Sequence, residues 1–131
     1  MKYILMMNGK KSDFEGYTRW SKEDLQGNVA FMREFSKELK DSGVFVSSEG
    51  LGWPNEARLV RAGSKGEPIT DGVFPESKEF LAGYWIIDVE NPEQAVTIAA
   101  RLSQAPGERG KAANMPVELR KVLSSHGDLG L

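Results

Sequence analysis

Side chains able to do chemistry are densest between Thr70 and Tyr84. Asp71, Glu76, Lys78 and Glu79 crowd three carboxylates and one amine together, just before the apolar run that carries Tyr84. Asp71-Gly72 is a turn signal, since glycine takes positive φ freely and an aspartate side chain bonds nearby backbone N–H groups. Phe74 precedes Pro75, which pushes it toward extended backbone. From Leu81 to Val89 nearly every residue is apolar. A polar, bent segment is thereby fixed to the start of a buried strand, a common way to build a site. Asp71, Glu76 and Lys78 are the candidate ligand contacts at a pocket mouth, with Tyr84 as a surface for stacking. The same Asp and Gly equally serve a plain solvated turn, and Tyr84 equally serves the core.

Other chemistries find few residues. Cysteine is absent and His126 is the single histidine, so thiol catalysis and His/Cys metal sites have no ligands. A carboxylate-only Mg²⁺ site would need Asp71, Glu76 and Glu79 to converge. Neither a glycine-rich phosphate loop nor a Gly-x-Ser-x-Gly elbow occurs, and no cofactor or metal is expected. The net charge of −2 gives no global pull toward nucleic acid. Charge is nonetheless uneven: residues 71–93 hold six acids and one base, and 101–126 hold five bases and two acids, which suits subunit contacts or a solvated surface. The longest apolar run is too short to span a bilayer. Met1 to Gly9 lacks the length and cleavage site of a signal peptide, so a cytoplasmic location is expected.

The elements that position these groups follow from periodicity. Residues 2–8 form a strand apolar on both faces, with Tyr3, Leu5 and Met7 on one and Ile4 and Met6 on the other. Residues 9–20 read as a polar loop whose Phe14, Tyr17 and Trp20, three apart, suit either a pocket mouth or a packed helical turn. Ser21 caps a helix running to about Ser42, with a stripe of Leu25, Val29, Met32, Phe35 (or Ser36) and Leu39. Gly43 ends it. Strands follow at about 44–51 and 56–63, then a turn and a short return at Ile69-Thr70. Residues 81–90 form a strand with Tyr84 and Ile86 on one face and Trp85, Ile87 and Val89 on the other. Asn91, Pro92 and Gln94 open a second helix with an Ala95, Val96, Ala99 and Leu102 stripe, stopped at Pro106-Gly107. Residues 115–123 form the last strand, and the tail from about 124, with His126, is expected to be flexible.

This order predicts a single α+β domain over 1–131: a ferredoxin-like βαββαβ unit with an extra hairpin strand and an antiparallel sheet with two helices on one face. Two helices cover only one face of strands that are apolar on both. A second copy of the sheet is the economical cover for the other, which predicts a homodimer.

The chain also resembles the YCII-related, or DGPF-domain, family. The resemblance rests on Met1 to Met7, on Glu49-Gly50-Leu51 after the first helix, and on Thr70 to Phe74 followed by Glu76, Lys78, Glu79 and Gly83-Tyr84. Ile87-Asp88-Val89 and Val117 to Arg120 fit as well, while Ser48 and Val73 depart from a Gly and the eponymous Pro. It implies a dimeric α+β barrel that binds or processes a small molecule near the motif. Related proteins carry a helix His and an Asp-Pro pair, read as catalytic, that this chain lacks. Whether the chain is an enzyme stays open. Family members are often encoded near sigma factors, so the alternative is a non-catalytic accessory or regulatory dimer linked to transcription.

Overall fold

The computed structural model describes the chain except Val73, Ser125 and Leu131, and describes Asp71 and His126 by backbone alone. Strands β1 (Lys2–Lys10), β2 (Phe45–Gly50), β5 (Glu79–Asp88) and β6 (Glu118–Lys121) form one antiparallel sheet in the order β2-β5-β1-β6. Helices α1 (Lys11–Tyr17) and α2 (Lys22–Asp41) lie between β1 and β2, and α3 (Pro92–Ser103) lies between β5 and β6. Strands β3 (Leu59–Ala62) and β4 (Pro68–Asp71) pair as a separate hairpin, Leu59 opposite Asp71 and Ala62 opposite Pro68. Without the hairpin and α1, this is the expected split βαβ order.

Local chemistry fixes the helix ends. The Asp24 amide donates to Ser21 Oγ at 3.1 Å, and the Gln94 amide donates to Asn91 Oδ1 at 2.8 Å, each supplying a partner to an orphan first-turn N–H. Gly43 at φ +78° stops α2, and the Val44 amide donates back to the Leu39 carbonyl at 3.1 Å. Gly66 at φ +81° closes the β3–β4 turn.

The core lies between the sheet and the long helices. Leu5, Phe35, Leu39, Val44, Trp85, Ile87, Val89, Ala95 and Leu102 are buried together, with Tyr3, Met7, Phe45, Val117 and Leu119 packed on them. Phe35 meets the Trp85 ring edge-on at 5.3 Å. The other sheet face is also apolar: Ile4 pairs with Ile86 and Met6 with Tyr84, all four half-buried. Ser47, Glu49, Glu118 and Arg120 flank them in register.

Several expectations are corrected. Residues 9–20 are not a loop: β1 runs on to Lys10 and α1 follows, its start fixed by the Lys10 amide donating to Asp13 Oδ2 at 2.8 Å. The described residues thus hold three α-helices rather than two. On α2, Leu25 and Val29 are 41% and 47% exposed, because the buried stripe shifts to Phe35 and Leu39 with Phe31 and Met32. On α3, Val96 is 58% exposed while Ile98 joins Ala99 against the core. The strand expected at 56–63 is shorter, since a 3₁₀ turn occupies Pro54–Glu56.

Candidate ligand cavity

Three neighbouring strands each place a glycine beneath α1 and α2: Gly9 near the end of β1, Gly50 at the end of β2 and Gly83 in the middle of β5. Gly83 of β5 lies opposite Met7 of β1 and opposite Gly50 of β2, and Gly9 follows two residues after Met7. A bulge between Met7 and Asn8 lets Asn8 pair with Leu81, so Ala82 is extra and joins Gly83 on the same floor. With so few side chains rising from the sheet there, α1 and α2 roof a cavity of about 670 Å³. That lies within the 300–1,000 Å³ or so typical of small-molecule sites.

The walls are mostly apolar and aromatic. Phe14, Tyr17 and Trp20 line one side, with Tyr17 and Trp20 ring centroids 4.7 Å apart, edge to face. Met7, Met32 and Met115 contribute three thioethers, and Val29, Trp85, Ala105 and Ala113 complete much of the rest. Val29 is exposed because it faces this hollow rather than the core. Phe14 also meets Trp53 at 6.3 Å, and a smaller hollow of about 300 Å³ lies on that side of α1.

Most polar groups of the lining are already engaged. Trp85 Nε1 donates to Ser36 Oγ at 3.0 Å, Asn28 Nδ2 to the Pro106 carbonyl at 2.9 Å, and Ser103 Oγ to the Met115 carbonyl at 2.7 Å. The Tyr17 hydroxyl donates to Met115 Sδ at 3.9 Å, and a thioether is a weak acceptor. Burial, and secondarily the Asp13 charge, raise the Tyr17 hydroxyl above its ordinary pKa, so it stays a protonated donor. Helix α2 brings Arg33, Lys37 and Lys40 to the rim. Lys37 Nζ bonds Asp41 Oδ2 at 2.6 Å, which raises its pKa, and Lys40 Nζ sits 4.9 Å over the Phe45 ring. Arg33 has no partner among the described residues. The arrangement can enclose an apolar molecule and offer it one hydroxyl and one guanidinium.

The residues singled out from sequence lie elsewhere. Glu76 and Lys78 are exposed and line neither hollow. Lys78 Nζ lies 5.7 Å over the Phe80 ring and has no carboxylate partner among the described residues. Phe80 in turn meets Phe74 edge-on at 5.2 Å. Tyr84 is on the sheet face opposite the cavity, across from Met6. The Asp71 backbone ends β4, while its side chain and the Val73 departure from the family motif lie outside the described residues. The Phe14, Tyr17, Trp20 spacing was the usable signal for the cavity. Arg33, Met32 and the strand-end glycines carried none, because they meet only through the fold.

Among the described residues no group of three or more acidic or histidine side chains could hold a metal ion. No helix among them is long and apolar enough to cross a membrane.

A split βαβ sheet with helices on one face and a hollow of about 670 Å³ beside them defines a small α+β domain. The chain belongs to the YCII-related domain family, whose model matches residues 1–118. It is similar to an uncharacterised protein of Rhizobium meliloti (strain 1021), 30% identical over 103 residues, which is 78% of this chain and 82% of that protein.

Proposed function

We propose that the protein is a homodimer that binds or processes a small molecule in the cavity between α1, α2 and the sheet. The observation that carries the reading is the glycine-floored, aromatic-walled hollow of about 670 Å³. A well-packed interior rarely leaves such space, and a larger side chain at Gly50, where an added Cβ meets nothing within 4 Å, would begin to fill it. Dimerisation is supported by the half-buried Ile4, Met6, Tyr84 and Ile86 on the sheet face away from the core. Closing two such faces together makes the dimeric α+β barrel. In that assembly Asp71, Glu76, Lys78 and Tyr84 are proposed to reach a ligand only through a surface that the second copy completes. A cytoplasmic location goes with this reading.

The alternative, an accessory dimer serving a transcription protein, draws support from the hairpin, where Leu59 and Val60 are both exposed.

Thermal shift against a panel of metabolites tests the first reading, using wild type and Gly50→Leu. A ligand at one hundred times its Kd adds about 2.7 kcal/mol to stability. Stabilisation by at least one compound in wild type and none in Gly50→Leu is expected. Equal shifts in both would place binding outside the cavity.

A further inference from the structure

Three bases of α2 reach the cavity rim, and one of them is paired with an acid. Lys37 is held by Asp41, and Lys40 sits over Phe45. Two of the three acids of the lining are engaged as well. Asp13 accepts the Lys10 amide at the start of α1, Asp41 belongs to Lys37, and Glu49 lies opposite Tyr84 in register, on the other side of the sheet. The Arg33 guanidinium has no carboxylate partner among the described residues, and its planar fork matches a carboxylate. Lys40 keeps its charge but lies over the Phe45 ring, which leaves Arg33 as the one planar two-pronged donor of the rim and suits a carboxylate. Below it, Tyr17 and Trp20 offer ring faces and edges, and Met7, Met32 and Met115 offer polarizable sulfur, which favours aromatic rings over saturated chains. The Tyr17 hydroxyl now makes only a thioether contact at 3.9 Å, and an oxygen on a ligand would be a better acceptor.

We propose that the cavity takes a flat aromatic molecule carrying one carboxylate, with Arg33 holding the anion and the aromatic and methionine walls enclosing the ring. This rests on the reading of the cavity as a ligand site. The carboxylate lies at the rim, where partial hydration lowers its desolvation cost, and the ring lies over the glycine floor.

Quenching of tryptophan fluorescence in the full-length protein tests it, with 2-naphthoate, its neutral isostere 2-naphthamide, and decanoate as probes. The wild type is expected to bind 2-naphthoate about tenfold or more tighter than 2-naphthamide, the scale of one charge-assisted contact. Arg33→Gln should remove that preference while leaving 2-naphthamide binding in place, and Gly50→Leu should remove both. Equal affinity for the two naphthalenes in wild type, or a preference that survives Arg33→Gln, would overturn the anion assignment. Tighter binding of decanoate than of 2-naphthoate would overturn the aromatic assignment. In each of those cases loss of binding in Gly50→Leu would still uphold the cavity as a site. Probe binding that ignores Gly50→Leu would sink the cavity reading itself and this inference with it.

Discussion

Gly50 of β2 and Gly83 of β5 stand opposite each other in the sheet, yet they tolerate a side chain very differently. A Cβ built on Gly83 would meet the Glu49 carbonyl oxygen of β2 at 3.0 Å, whereas one on Gly50 meets nothing within 4 Å. The first glycine lets two strands approach, and the second leaves the floor of the cavity bare.

Paired substitutions separate those roles. Gly83→Ala should destabilise by about 1–3 kcal/mol, because backbone rather than a flexible side chain must move. Gly50→Leu should leave stability within about 1 kcal/mol, since strand-interior glycine is itself a weak choice. Chemical denaturation of the two variants checks the ordering. A larger loss for Gly50→Leu would mean that the space beside it is needed by the fold.

The Tyr17 hydroxyl gives a pH prediction with a definite sign. Its pKa is raised above 10.0, by burial first and by Asp13 second. The folded chain therefore holds this proton more tightly than the unfolded chain does. The contribution is full below the unfolded value and is lost as pH rises through the raised folded value. Wild type should lose stability above pH 10 or so, and Tyr17→Phe should lose less over the same window. Parallel alkaline profiles for the two proteins would contradict the environment described for Tyr17.

Lys78 lies over Phe80, with no carboxylate partner among the described residues. An exposed cation–π contact is worth about 0.5–1 kcal/mol. Lys78→Ala should therefore cost no more than that, with little dependence on salt. A loss of several kcal/mol in urea titrations would require a buried ion pair.

How much of this was legible in advance differs by element. The caps at Ser21 and Asn91, the stop at Gly43 and the two-faced strands are local signals, and they located both long helices and the main strands of the antiparallel sheet. Helix α1 was hidden because its start depends on Asp13 reaching back to the Lys10 amide, in a segment rich in polar residues. The exposure of Val29 and Val96 was hidden as well, since apolar spacing alone does not say which part of a stripe meets core and which meets a hollow. The conspicuous charges at Glu76 and Lys78 lie just before the start of β5, outside the lining of this hollow. The cavity sits where side chains are missing, at Gly9, Gly50 and Gly83, and an absence spread over three distant strands leaves no periodic trace.

The apolar sheet face yields a prediction about assembly. Light scattering coupled to size exclusion should give about twice the 14.5 kDa chain mass for wild type. Met6→Glu places a charge opposite Tyr84 on that face and should shift the mass to one chain without unfolding it. Wild type running as a monomer at micromolar concentration would remove the two-sheet assembly.

The five methionines offer the most direct test of the cavity as a ligand site. Met7, Met32 and Met115 line it, whereas Met1 is at the exposed N-terminus and Met6 is on the opposite face of the sheet. A ¹³C-methyl methionine NMR titration with 2-naphthol should shift the Met7, Met32 and Met115 signals together and saturably, leaving Met1 and Met6 in place. Saturable shifts at Met6 without the other three, or no shift at any lining methyl while the probe binds, would contradict the account.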